Sequence, residues 1–75
     1  MPFVYFHRGD GQHFHRDRDG RYVVDERQVQ VEAKKMLAKY LVESATTTDT
    51  IGLSVEAQDL SGRTIFQASV IGTTW

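Results

Sequence analysis

Three closely spaced histidines, His7, His13 and His15, are the side chains of this sequence best suited to chemistry. Neutral imidazoles are ligands for zinc, nickel or copper, and three of them leave a fourth position for water. His13-x-His15 on a strand puts both rings on one face, and a turn at Gly9-Asp10-Gly11 can bring His7 across from His13. The competing reading, which is favoured, is a surface strand whose histidines face solvent or stack on Tyr5. No Asp or Glu stands at a spacing that completes a ligand set. Asp17-Arg18-Asp19-Gly20 has the look of a calcium-loop fragment, but position 15 is histidine and the bidentate glutamate further on is missing. Asp and Gly at these places serve a turn.

Arg27, Lys34, Lys35 and Lys39 form a basic side of a helix that could meet phosphates or an acidic partner. Glu32 and Glu43 lie close by, so a solvated helix face is the favoured reading. Catalytic motifs are missing. The sequence has no Gly-rich phosphate loop, no Gly-x-Ser-x-Gly elbow and no His-Glu-x-x-His helix. Ser54, Ser61 and Ser69 have no evident base partner. The expectation is a protein without catalytic residues and without a cofactor.

Composition narrows the class. A chain of 75 residues makes one domain, 1–75, and a domain of that size buries only about 60% of its unfolded surface. It is marginal unless stapled or oligomeric. Cysteine is absent, which excludes disulfides and thiolate metal sites and suits a reducing compartment. Net charge is −1, so a general electrostatic grip on nucleic acid is disfavoured. Met1 to His7 lacks a basic n-region and a long apolar core, and no run reaches bilayer length. The expectation is a cytoplasmic protein with no membrane partner.

The element that must organise these residues runs from Asp25 to Ser44. Val29, Ala33, Met36, Leu37, Tyr40 and Leu41 recur at i, i+4, i+7, i+8, i+11 and i+12, which is one stripe of a helix. Asp25 is the expected N-cap, Gln28 the returning residue of a capping box, and Val24 with Val29 a hydrophobic staple. Burying six such side chains at roughly 1.5–3 kcal/mol each gives on the order of 10 kcal/mol before entropy is subtracted. That gain needs a sheet to receive it.

Strands flank the helix on both sides. Phe3 to Arg8 is aromatic and β-branched, Gln12 to Arg16 runs back, and Arg21 to Val24 is a short third strand. Of two registers for the first hairpin, a two-residue turn sets His7 opposite Phe14. The preferred one has a three-residue loop with Phe6 opposite Phe14 and His7 opposite His13, gathering Val4, Phe6 and Phe14 for the helix. Beyond a Thr-rich connection, Ile51, Leu53, Val55 and Ala57 alternate with smaller or polar residues. Counting from the Asp59–Gly62 turn sets Ala57 against Thr64, Val55 against Phe66, Leu53 against Ala68 and Ile51 against Val70. The fold class is α+β: an antiparallel sheet of four to five strands (β-β-short β-α-β-β) with one helix across one face.

One helix leaves one face of that sheet open. Phe3, Tyr5, Ile65 and Ile71 would point there. Val31, Ala38 and Val42 lie on the helix side opposite its stripe, where scattered surface residues are the favoured reading and a second contact face the alternative. The expected partner is a second copy, through the open face or a sheet edge, or another protein.

The sequence also resembles a family of short, uncharacterised bacterial proteins. The likeness lies in Met1-Pro2, Tyr5-Phe6-His7, Asp10-Gly11, Asp17 to Gly20, Asp25, Glu32-Ala33 and the Asp59-x-x-Gly62 turn. It departs in His13-x-His15, in polar Gln28 and Gln30, and in the long Thr-rich connection. The resemblance implies a cytoplasmic bacterial accessory protein and carries over no functional residue. Three readings follow: a non-enzymatic domain acting by protein contact, a nucleic-acid-associated or antitoxin-like regulator, and an imidazole metal binder.

Overall fold

The computed structural model describes residues 3–11, 13–44 and 50–73. Elements follow in the order β1 (Phe3–Gly9), β2 (Phe14–His15), β3 (Arg21–Tyr22), α1 (Glu26–Ser44), β4 (Thr50–Gln58) and β5 (Thr64–Thr73). The sheet runs β2-β1-β4-β5, with β3 also on the outer edge of β1, and all pairings are antiparallel. The helix packs across β4 and β5. This is the expected α+β architecture. The Thr-rich connection, residues 45–49, lies outside the described residues.

Alternation sorts the side chains. Val4 and Phe6 of β1 and Leu53, Val55 and Ala57 of β4 are buried on the helix side with Val23, Val29 and Ala33. Met36, Leu37 and Phe66 close over that cluster. The helix begins as its sequence dictates, with the Gln28 N–H donating to Asp25 Oδ1 at 2.9 Å. The Gln28 side chain returns one residue further than expected and accepts from the Val24 N–H. The staple does not form: Val24 is 68% exposed, and Val23 enters the core in its place.

Both hairpin registers differ from expectation. In the first, Gly9 pairs with Phe14 and Arg8 with His15, rather than Phe6 with Phe14 and His7 with His13. Asp10 sets the longer loop, donating its N–H to the His13 carbonyl and accepting the His13 N–H on Oδ1. Phe14 then lies beside side-chain-free Gly9, 56% exposed, on the face away from the helix. In the second hairpin Ala57 pairs with Phe66, Val55 with Ala68 and Leu53 with Val70, two residues from the expected register. Asp59 Oδ1 accepts from the Ser61 N–H and O–H and the Arg63 N–H, closing the turn at Gln58 and Thr64. An irregularity between Ala57 and Gln58 then moves the pairing one further. A shift of two keeps every side chain on its own face, so alternation alone could not detect it.

Candidate functional site

The sheet edge along β1 has a gap between its two short neighbours. β2 pairs at Arg8–Gly9 and β3 at Phe3–Val4, and Asp17 fills the space between. Its Oδ2 accepts the Phe6 N–H at 3.1 Å, and its Oδ1 accepts the N–H groups of Asp19 and Gly20 at 3.1 and 3.2 Å. Its own N–H donates to His7 Nδ1 at 3.0 Å. Burial alone would raise the Asp17 pKa, but the amides of Phe6, Gly20 and Asp19, with Arg21 nearby, hold it below the usual carboxylate range. One carboxylate thus stands in for the missing stretch of edge strand.

Gly20 completes this junction. Its φ is +67°, and a Cβ there would come within 2.3 Å of the Phe3 ring and 3.0 Å of the Tyr5 ring. Phe3 is held edge-on between Tyr5 and Tyr22, so it has little room to yield. Gly20→Ala is expected to destabilise the domain by about 2–3 kcal/mol, from the left-handed backbone and the displaced rings together. Urea unfolding of the variant checks this.

His7 is buried, at 5% exposure, and both ring nitrogens are engaged. Because Nδ1 accepts from Asp17, Nε2 carries the proton and donates to Gln58 Oε1 at 3.1 Å. The Gln58 amide donates to Glu56 Oε1 at 3.2 Å, and the Thr64 hydroxyl donates to Glu56 Oε2 at 2.7 Å. The row crosses from β1 to β5 on the face away from the helix. Tyr5 stacks parallel to His7. A pocket of about 210 Å³ beside this row is lined by Tyr5, Arg16, Leu60 and the row's own polar groups.

The three histidines do not converge. His13 is in the loop beside Asp10, His15 is exposed, and His7 has spent its nitrogens on Asp17 and Gln58. Among the described residues no three His, Asp or Glu side chains group around a common point. The register change explains this, since it carries His13 away from His7. Asp17 to Gly20 is the turn its composition suits, with the carboxylate turned onto amides.

The expected contact residues divide into three places. Ile65 and Ile71 are exposed on the open face, Ile71 at 81%. Phe3 and Tyr5 lie on the same face but are half-covered by the turn around Gly20. Val31 and Val42 are exposed on the helix away from the sheet. Arg27, Lys34, Lys35 and Lys39 are all exposed, within an arc of about 140° on the side of the helix away from the sheet.

Two further features escape the residue types taken singly. The first is strand β5, which pairs with β4 on one side and stands at the end of the sheet. From Thr64 to Thr73 it has no charge and no proline, the devices that normally blunt an edge. Its helix-side residues Phe66, Ala68 and Val70 are half-buried, whereas Leu53, Val55 and Ala57 on β4 are fully buried. The core is therefore open toward this edge. Ile65-Phe66-Gln67-Ala68-Ser69-Val70-Ile71 also reads nearly the same in both directions about Ala68.

The second is a cleft of about 230 Å³ on the other flank, between the helix and β1–β3. Arg8, Arg16, Arg21 and His15 line it above Phe6 and Met36, with Asp17 at its wall. The Arg8 guanidinium lies 5.2 Å from the Tyr40 ring centre and that of Arg21 5.4 Å from Phe6. Asp17 and these arginines were not legible as a set, because the β2–β3 connection is what lays Asp17 against β1.

Among the described residues no helix is long and apolar enough to cross a membrane. No curated protein and no solved structure matches the chain. The family model described as a domain of unknown function, DUF6894, matches residues 4–72, nearly the whole chain, and the protein belongs to that family.

Proposed function

We propose that this chain is a non-catalytic contact module of the bacterial cytoplasm that works by pairing with a second copy of itself along β5. The observation that carries the reading is the self-complementary, uncharged edge with the core open beside it. A two-fold axis perpendicular to the sheet through Ala68 sets Ile65 against Ile71, Phe66 against Val70 and Gln67 against Ser69, each pair occurring twice. Such an axis keeps both helices on one face and joins ten strands into one sheet. Phe66 and Val70 of each copy then cover the half-open core of the other.

Isologous pairing asks for this symmetry of character about one residue, whereas a different partner does not. The surface involved is small, so a dissociation constant on the order of micromolar is expected. Gln67→Lys combined with Ser69→Lys sets like charges opposite each other at two places across the axis. Both positions are exposed, so the monomer should keep its fold and melting temperature. Sedimentation velocity should show the parent approaching twice 8.6 kDa with rising concentration. The double variant should dimerise at least about tenfold more weakly. A parent that stays at 8.6 kDa up to about 1 mM would remove the reading.

A further inference from the structure

We infer that the outer face of α1 is a docking surface for an acidic amphipathic helix of another protein. The surface lies on the far side of the helix from the sheet, and the inference is independent of self-association along β5. Its first support is where the charge falls. The protein is slightly acidic overall, yet Arg27, Lys34, Lys35 and Lys39, four of its nine Lys and Arg residues, share an arc of about 140° on α1. No Asp or Glu of the helix stands within that arc. Glu32 and Glu43 lie just beyond Lys39, and Glu32 is bonded to Arg21. Among the described residues none of the four cations is in an ion pair.

The second support is what lies between the charges. Val31, Ala38 and Val42 project along a strip about 40° wide at the centre of the arc. Arg27 and Lys34 stand on one side of the strip, and Lys35 and Lys39 on the other. All three strip residues are exposed, Val42 at 76%. They are seven and four residues apart, which are the steps of a heptad seam. A narrow apolar seam with charge on both shoulders is the pattern of one strand of a two-helix coiled coil. Small side chains along it let a second helix axis come to within about 8–10 Å.

Together these features choose the partner. A second copy of α1 would set cation against cation on both shoulders, so this face does not pair with itself. A nucleic acid would meet the cations but lay its phosphates over the valine strip. An anionic bilayer asks for larger apolar anchors such as Leu, Phe or Trp, and the strip carries none. A helix with a narrow apolar seam and Asp or Glu on both sides matches strip and charges at once. From Arg27 to Val42 the surface is about 22 Å long, so a partner segment of about 16 residues covers it.

The test is a titration of the full-length, isotope-labelled protein with a capped peptide of three heptads, leucine at a and d and glutamate at e and g. Backbone amide shifts should centre on residues 27–42 and saturate with a dissociation constant on the order of 100 µM at low salt. A scrambled peptide of the same composition should bind at least about tenfold more weakly. Lys35→Glu combined with Lys39→Glu should weaken binding at least about tenfold. Val31→Gln combined with Val42→Gln should do so by a similar factor with the charge unchanged. These four positions are exposed and Gln is a good helix former, so both variants should keep the parent melting temperature. Equal binding of the scrambled peptide, full binding by the glutamine variant, shifts that never saturate, or shifts centred on β5 would overturn the docking seam. Tighter binding of a single-stranded oligonucleotide, or of vesicles rich in anionic lipid, than of the peptide would overturn the partner class.

Discussion

Asp17→Ala is expected to lose about 3 kcal/mol or more of folding stability. The change leaves the N–H groups of Phe6, Asp19 and Gly20 without their acceptor, and those of Phe6 and Gly20 are partly buried. It also frees the turn that positions the Asp17 N–H against His7. For a domain of this length total stability is about 4–11 kcal/mol, so the variant should melt far below the parent or fail to accumulate. Asp17→Asn is a sharper probe. Its one carbonyl can serve Phe6 or the Asp19–Gly20 pair, while its amide meets a donor on the other side. Most of the loss should therefore remain.

The same residue gives the fold a defined response to acid. Folding lowers the Asp17 pKa, so the unfolded chain binds this proton more readily than the folded one. Its stabilisation is present above the ordinary value of 3.8 and disappears as pH falls through the lower folded value. Asp59, held low first by the Ser61 hydroxyl and then by the Arg63 amide, acts in the same direction at the second turn. Stability measured between neutral and acidic pH should decline less steeply in Asp17→Asn than in the parent. An unchanged slope would mean that another carboxylate governs acid unfolding.

His7→Ala is expected to cost about 2–4 kcal/mol. It opens a space under Tyr5 and removes partners from the Asp17 N–H and the Gln58 carbonyl at once. His7→Asn should recover part of this, because the asparagine carbonyl falls near the place of Nδ1 and can accept from Asp17. Denaturant unfolding of both variants separates this role from metal binding. A histidine kept for a metal would tolerate either change in metal-free buffer, whereas a histidine bonded in the fold would not.

The elements were legible where one periodicity decided them. Val29, Ala33, Met36 and Leu37 at helical spacing located the helix to within a residue, and Leu53, Val55 and Ala57 located the buried face of β4. What could not be read was anything set by a partner distant in the chain. His7 has the residue type of a ligand, and its part in the fold depends on an amide ten positions on and a glutamine fifty-one positions on. The pairing of Ala57 with Phe66 depends on a local irregularity that leaves facing unchanged. The near-symmetry of Ile65 to Ile71 stands in the sequence, but it acquires meaning only once β5 is known to be an edge.

The absence of cysteine allows a direct measurement of the proposed pairing. In the two-fold arrangement about Ala68, residue 67 of one copy lies opposite residue 69 of the other, within the Cα separation of about 4.4–6.8 Å that a disulfide needs. Two residues at position 69 lie on a diagonal, too far apart to bridge well. An equimolar mixture of Gln67→Cys and Ser69→Cys proteins, oxidised gently and resolved by mass, should give mainly the mixed disulfide, with little from either variant alone. The statistical mixture of products that random collision gives, or no disulfide at all, would contradict pairing along β5.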